Sequence, residues 1–164
     1  MKISPIKTKI FKEGEDIVDF VINHIPRLKE KTILIITSKI VALSENRTAI
    51  IENAQTKEKL IRAESELAIP TKYVWLTVKD GMIMASAGID ESNANGKLIM
   101  LPKDSFESAK KFRKILRQKY HLKNLGVIIT DSRTTPLRSG IMGAAIGYAG
   151  FKGLRDYREK PDIF

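Results

Sequence analysis

The sequence contains no cysteine. That excludes disulfides, thiolate metal sites, cysteine nucleophiles and thiol redox chemistry together, and it fits a reducing compartment. Only two histidines occur, His24 and His121, both in helical context away from the other polar segments, so neither a His-based triad nor a zinc site is expected. Glycine and proline are sparse, at 10 and 6 of 164 residues, and aromatic residues make up 7%, so the chain is neither fibrous nor of low complexity. The longest nearly uncharged stretch, residues 139–151, falls short of the ~20 apolar residues that span a bilayer, and glycine interrupts it at 140, 143, 147 and 150. The N-terminal MKISPIKTKIFKEGED lacks the apolar core of a secretion signal, so a cytoplasmic location is expected. There is no P-loop and no dinucleotide-binding fingerprint.

What is present reads as globular: 43% apolar and 29% charged residues, with no internal repeat or linker. A chain of this length forms one domain or two small lobes and buries roughly 70% of its unfolded surface. The formal net charge is +10, and most of the excess lies in residues 97–123, where nine cations face Asp104 and Glu107. There Ser105 is placed to cap a helix whose apolar positions Phe106, Ala109, Phe112, Leu116 and Tyr120 recur every three to four residues, leaving lysine and arginine opposite. Such a face either docks a polyanion or is simply solvated. The absence of interleaved aromatics or glycine-arginine pairs favours the solvated surface, so nucleic acid is not expected as a partner.

The pattern along the chain predicts an α/β (α+β mixed) fold, a mixed β-sheet with flanking helices. Residues 16–25 read as a short helix behind Asp16, and TILIIT (32–37) as a strand buried on both faces. NRTAII (46–51) predicts a strand, 56–66 a polar helix, and 73–79 with 82–85 a hairpin across Asp80-Gly81. Residues 97–101 form a further strand, and LGVIIT (125–130) a second apolar strand ending at Asp131, with helices alternating with strands throughout. The final RDYREKPDIF reads as a charged loop, as if a downstream portion were missing.

Three segments gather polar side chains at strand ends or beside glycine, where α/β proteins place their sites. Thr37-Ser38-Lys39 brings a hydroxyl and a cation suited to phosphate, or else Ser38 merely opens a helix. Residues 86–93 pack Asp90, Glu91, Asn93 and two serines together, hard oxygen donors of the kind Mg²⁺ or Mn²⁺ takes, or else a polar surface turn. Residues 130–138 place Asp131 and Ser132 as metal donors beside Arg133 and Arg138, which could clamp phosphate and offset charge during phosphoryl transfer; otherwise Asp131 merely ends a strand. The glycines at 140–150 permit close backbone packing or a ligand lying against the main chain.

The runs TSKIVA (37–42), SAGIDESNANGKLIMLPKDSFESA (86–109), VIITDSRTTPLRSG (127–140) and AIGYAGFKGLRDYR (145–158) together resemble the coenzyme F420-0:L-glutamate ligase family. The resemblance implies an F420 ligase-like domain over 1–164 without the family's C-terminal portion. It also implies a GTP-dependent enzyme that adds L-glutamate through a γ-glutamyl amide bond to coenzyme F420-0 or a related carboxylate acceptor, by way of an acyl phosphate. Mg²⁺ or Mn²⁺ is implied as cofactor, with K⁺ as a further candidate ion, and an intertwined homodimer as the assembly. By position, Asp90 and Asp131 match first-metal ligands and Ser132 a hydroxyl ligand of a second metal; Arg138, read from its own segment as a phosphate clamp, is expected as a further catalytic group. Asn93, Ser38 and Lys39 match nucleotide contacts, as do Thr8, Lys9, Ile10 and Phe11 through their backbone. Leu43 stands where the family usually has lysine, and Thr134-Thr135 where it has Gly-Arg; Arg133 is placed to supply the missing arginine. The alternative function, from another class, is a non-catalytic nucleotide- or nucleic-acid-binding module that keeps the fold.

Overall fold

The computed structural model describes residues 2–51, 53–91, 96–135 and 137–161. Its elements run α1 (Ile17–His24), β1 (Thr32–Thr37), α2 (Ser38–Ser44), β2 (Thr48–Ile50), α3 (Ala54–Ala63), β3 (Leu67–Pro70), β4 (Trp75–Lys79), β5 (Met82–Ala85), a single 3-10 turn (Ser86–Gly88), β6 (Lys97–Ile99), α4 (Ser105–Lys119), β7 (Leu125–Arg133) and β8 (Met142–Ala149). Strand order is β1-β7-β8 in a mixed sheet, β2-β6 in an antiparallel pair and β3-β4-β5 in an antiparallel meander. The mixed α/β architecture expected from the pattern is what forms. Helices do not alternate with strands throughout, because three strands follow one another in the meander.

The apolar faces of α1, α2 and α4 close over the inner side of β1-β7-β8, with Leu34, Ile36, Val127 and Ile129 meeting Val18, Val41, Ala109 and Leu116 in one core. Helix α1 starts where Asp16 accepts from Val18 N and Asp19 N, satisfying two backbone donors that a helix start leaves free. On α4 the cap is Asp104 rather than Ser105: its carboxylate accepts from Glu107 N at 2.8 Å, and Ser105 is the first helical residue. Two cations of the basic face are engaged with backbone, Arg113 Nε donating to Leu125 O (2.6 Å) and Arg117 Nε to Leu122 O (3.4 Å).

Strand β1 is buried on one face only. Leu34 and Ile36 point into the core, while Ile33 and Ile35 are 49% and 61% exposed. The cause is position: β1 is an edge strand, and the core helices pack on the inner face, so the sequence run of uniform apolarity gives an alternating burial. Strand β7 does not end at residue 130 but carries Asp131, Ser132 and Arg133 in register with Ala144, Gly143 and Met142 of β8. A bulge at the Ile129/Thr130 step interrupts the β7–β8 ladder just before these polar residues. Gly147 of β8 is needed for close approach, since a methyl there would come within 2.3 Å of Ser105 O.

Register of the parallel β1–β7 pair is tied at its far end. The Glu30 carboxylate accepts from Lys123 N (2.6 Å) and Asn124 N (2.8 Å), and Lys31 N donates to Asn124 O (2.8 Å). These backbone donors hold the Glu30 carboxyl below its ordinary value. From there the ladder runs from Thr32 opposite Leu125 to Thr37 opposite Thr130.

Candidate active site

Because Thr37, the last residue of β1, is opposite Thr130, the residues that follow, Ser38 at the start of α2 and Asp131 on β7, also meet. Ser38 Oγ donates to Asp131 Oδ1 at 2.7 Å across 93 residues of sequence. Ser38 opens α2 and is 4% exposed, so this bond forms largely out of water. Its neighbour Lys39 makes an ion pair with Asp90. Two carboxylates from distant segments are thereby tied to consecutive residues at the carboxyl end of a parallel strand pair, where open α/β sheets bind ligands.

Asp90 is aimed by its own backbone. An isolated antiparallel bridge joins Asp90 N to Ile99 O (2.9 Å) and Ile99 N to Asp90 O (2.8 Å). On the other side, Asp131 Oδ2 lies 3.8 Å from Arg133 Nε. Asp131 and Arg133 share a strand face, and Ser132, between them, is exposed on the alternate one. The Arg133 side chain is only 9% exposed. Its Nη1 lies 2.9 Å from the Met82 thioether, whereas Nε and Nη2 are buried without a hydrogen-bond partner. Those two nitrogens form the edge of a guanidinium that takes a carboxylate or phosphate bidentately. Residues Met84, Asp131, Ser132, Arg133, Thr134 and Ile141 are among those that line a cavity of about 180 Å³ at this point.

The remaining residues singled out from the sequence fall elsewhere. Arg138 is exposed in the β7–β8 loop and lies outside the cavity lining. Thr8, Lys9 and Ile10 are exposed, while Phe11 is buried edge-on against Phe20 at 4.9 Å. This segment is fastened to α1: Lys9 N donates to His24 Nε2 at 3.2 Å, so His24 is not remote from every candidate segment. Asn93 lies outside the described residues.

Among the described residues no three histidine, aspartate or glutamate side chains gather into a ready-made metal cluster. The donor chemistry nevertheless suits a hard divalent ion, which commonly takes one or two protein carboxylates and completes its shell with water and substrate phosphate oxygens. Asp90 and Asp131 are the two carboxylates that Lys39 and Ser38 hold here.

Sequence reasoning missed an ion-pair network that fastens the neighbouring elements together. Arg47 Nη2 and Lys79 Nζ both donate to Glu64 Oε2, at 2.5 and 2.8 Å, tying the end of α3 to β4 of the meander and to the start of β2. Burial pushes the Glu64 carboxyl up, but the bonds from Lys79 and Arg47 outweigh it and hold it below the ordinary value. Only the apolar, half-buried setting of Lys79 in VWLTVK hinted at such a network.

The profile of the F420-0:gamma-glutamyl ligase family matches residues 5–164. The chain belongs to this family. With it comes membership of the acid–amino-acid ligases. Among curated relatives, the coenzyme F420:L-glutamate ligase of Methanopyrus kandleri is 30% identical over 98% of this chain and 70% of its own length. The enzyme of the same name from Archaeoglobus fulgidus is 26% identical over 94% of this chain and 69% of its own. That from Methanocaldococcus jannaschii is 30% identical over all of this chain and 73% of its own. The family assignment made from four short sequence runs therefore holds over nearly the full chain.

Proposed function

We propose that this protein joins the amine of L-glutamate to a carboxylate of coenzyme F420-0 or a related small acceptor, a γ-glutamyl amide bond where that carboxylate is the γ-carboxyl of a glutamate, with GTP as co-substrate. A carboxylate is a poor electrophile, so the acceptor carboxylate first takes the γ-phosphoryl group of GTP, releasing GDP and forming an acyl phosphate. The glutamate amine then attacks the acyl carbon, losing a proton, and inorganic phosphate leaves. In this reading Ser38 and Lys39 hold nucleotide phosphate oxygens, the backbone of residues 8–11 and Asn93 complete the nucleotide contacts, and Arg133 meets oxyanion charge. Asp90 and Asp131, with Ser132, would hold Mg²⁺ or Mn²⁺, which supplies charge neutralisation between phosphate and nucleophile. Arg138 offsets charge on the transferring group, and K⁺ is a further ion to test.

The observation that carries the proposal is the pairing of Ser38 with Asp131 and of Lys39 with Asp90, which brings all three sequence segments to one place. The test is nucleotide turnover that requires both acceptor and glutamate, measured alongside Mn²⁺ binding by calorimetry. Loss of Mn²⁺ binding in Asp131→Ala is expected; hydrolysis indifferent to glutamate, or unchanged Mn²⁺ affinity in that variant, refutes it. A homodimer in the cytoplasm is the proposed working state. Its assembly is supported by the outer face of the meander, where Leu67, Ile69, Leu76 and Ile83 are 44–57% exposed. No helix of the described residues is long and apolar enough to cross a membrane.

A further inference from the structure

Between the hairpin and Asp90 the backbone does something costly. Ser86, Ala87 and Gly88 adopt φ of +48°, +56° and +70° in succession, and two of the three are not glycine. Left-handed backbone is unfavourable for residues with a Cβ, and runs of it are rarer still. Such a turn persists only when its surroundings fix it. Here Gly88 is fixed by packing, since a Cβ would lie 2.7 Å from Leu101 Cδ1. Ile89 N donates to Ser86 O at 3.0 Å. The centre of the turn, Ala87, is 1% exposed, so its N–H cannot be satisfied by water.

Its partner is Thr77, a hydroxyl on β4 that is fully buried. Thr77 Oγ1 accepts from Ala87 N at 2.8 Å and donates to Met84 O at 2.7 Å. One hydroxyl thus bridges strand β5 of the hairpin to the middle of the left-handed turn. Two residues beyond its outlet stands Asp90, fastened by its backbone to Ile99 and by its carboxylate to Lys39.

We infer that Thr77 is a positioning residue for the Asp90 carboxylate: its hydroxyl, by holding Ala87 N–H, sets the left-handed turn that delivers Asp90 to the site. The inference rests on the reading of Asp90 as a metal and phosphate-site residue only for its functional consequence. A position two elements away from the chemistry would then control metal affinity without touching metal, nucleotide or substrate. Serine preserves both hydrogen bonds; valine preserves the shape and removes both.

The experiment compares the full chain with Thr77→Val, Thr77→Ser and Thr77→Val combined with Ala87→Gly. Mn²⁺ affinity is read by calorimetry, and amide hydrogen exchange is read at Ala87 and Asp90. Expected in Thr77→Val are loss of exchange protection at Ala87 and Asp90 while α4 and β7 keep theirs, and about a 10-fold or greater loss of Mn²⁺ affinity, the scale of an outer-shell support. Thr77→Ser is expected to stay close to the parent in both. Ala87→Gly removes the Cβ from the left-handed position and is expected to restore part of the folding and of the Asp90 protection, which keeps the test decisive if Thr77→Val alone folds poorly. Unchanged Asp90 protection in Thr77→Val, a serine variant as impaired as valine, or no rescue by Ala87→Gly overturns the inference. If the parent chain binds no Mn²⁺, the proposed metal site fails, while the exchange data still decide the role of Thr77.

Discussion

Replacing Arg133 with methionine should make this protein more stable and less able to bind its ligand. Each buried N–H without an acceptor costs about 1–3 kcal/mol, and Arg133 has two such nitrogens, Nε and Nη2. The opposing contribution is attraction to Asp131, but Oδ2 lies 3.8 Å from Nε, beyond hydrogen-bond reach. A loose pair of that kind contributes on the order of 1 kcal/mol or less. Methionine is unbranched, of similar length, and leaves no polar group in a setting that already includes Met82 and Met84. The net gain should be about 2 kcal/mol from the two relieved N–H groups, because Asp131 stays partly exposed and keeps its bond from Ser38. For a chain of this size that corresponds to a rise of about 4–8 °C in Tm. Thermal unfolding monitored by circular dichroism measures it, and product formation measured on the same samples should fall. A lowered Tm for Arg133→Met would refute the reasoning, because it would mean that the guanidinium is satisfied where it sits.

Three further outcomes follow from other parts of the molecule. Glu64→Ala takes the shared carboxylate from Arg47 and Lys79, whose side chains are 22% and 12% exposed and keep only their backbone acceptors Leu101 O and Glu64 O, and should destabilise by about 2 kcal/mol in urea unfolding, below the scale for fully stranding a buried charge. Because the Glu64 carboxyl is held below its ordinary value of 4.5, its contribution is present at neutral pH and disappears as pH falls through the folded value. The parent's urea midpoint should therefore drop below about pH 4.5 more steeply than that of Glu64→Gln. Gly147→Ala drives a methyl against the Ser105 carbonyl, which is backbone at a capped helix start and cannot swing away, so a loss of about 2 kcal/mol or more is expected in thermal unfolding.

The sequence made β1, β7 and the Asp80-Gly81 hairpin readable because each carries a local signal: two unbroken branched-aliphatic runs, and a turn pair that the structure confirms with positive φ at both residues. Their C-terminal polar residues were legible for the same reason. What local pattern could not show was pairing. Strand β8 was invisible because glycine and alanine carry no period, and β7 was read as stopping at Asp131 because polar residues look like a strand end unless a partner strand is known. The exposed Ile33 and Ile35 look identical in sequence to buried Leu34 and Ile36; only the face of the strand that the core helices cover separates them. The burial of Arg133 likewise depends on Met82, 51 residues away.

The latch at Glu30 has a consequence for chemistry at the opposite end of the sheet. Six ladder steps lie between it and Ser38, a distance of roughly 20 Å at about 3.3 Å per residue. Were β1 to shift one notch along its neighbour, Ser38 would face Thr130 or Ser132, and the alternation of faces would carry its hydroxyl away from the acid it now grips. An acidic side chain on the surface, with no chemical role of its own, thus keys two distant halves of the chain like the teeth of a zip, and the alignment it enforces is felt where the reacting groups must meet.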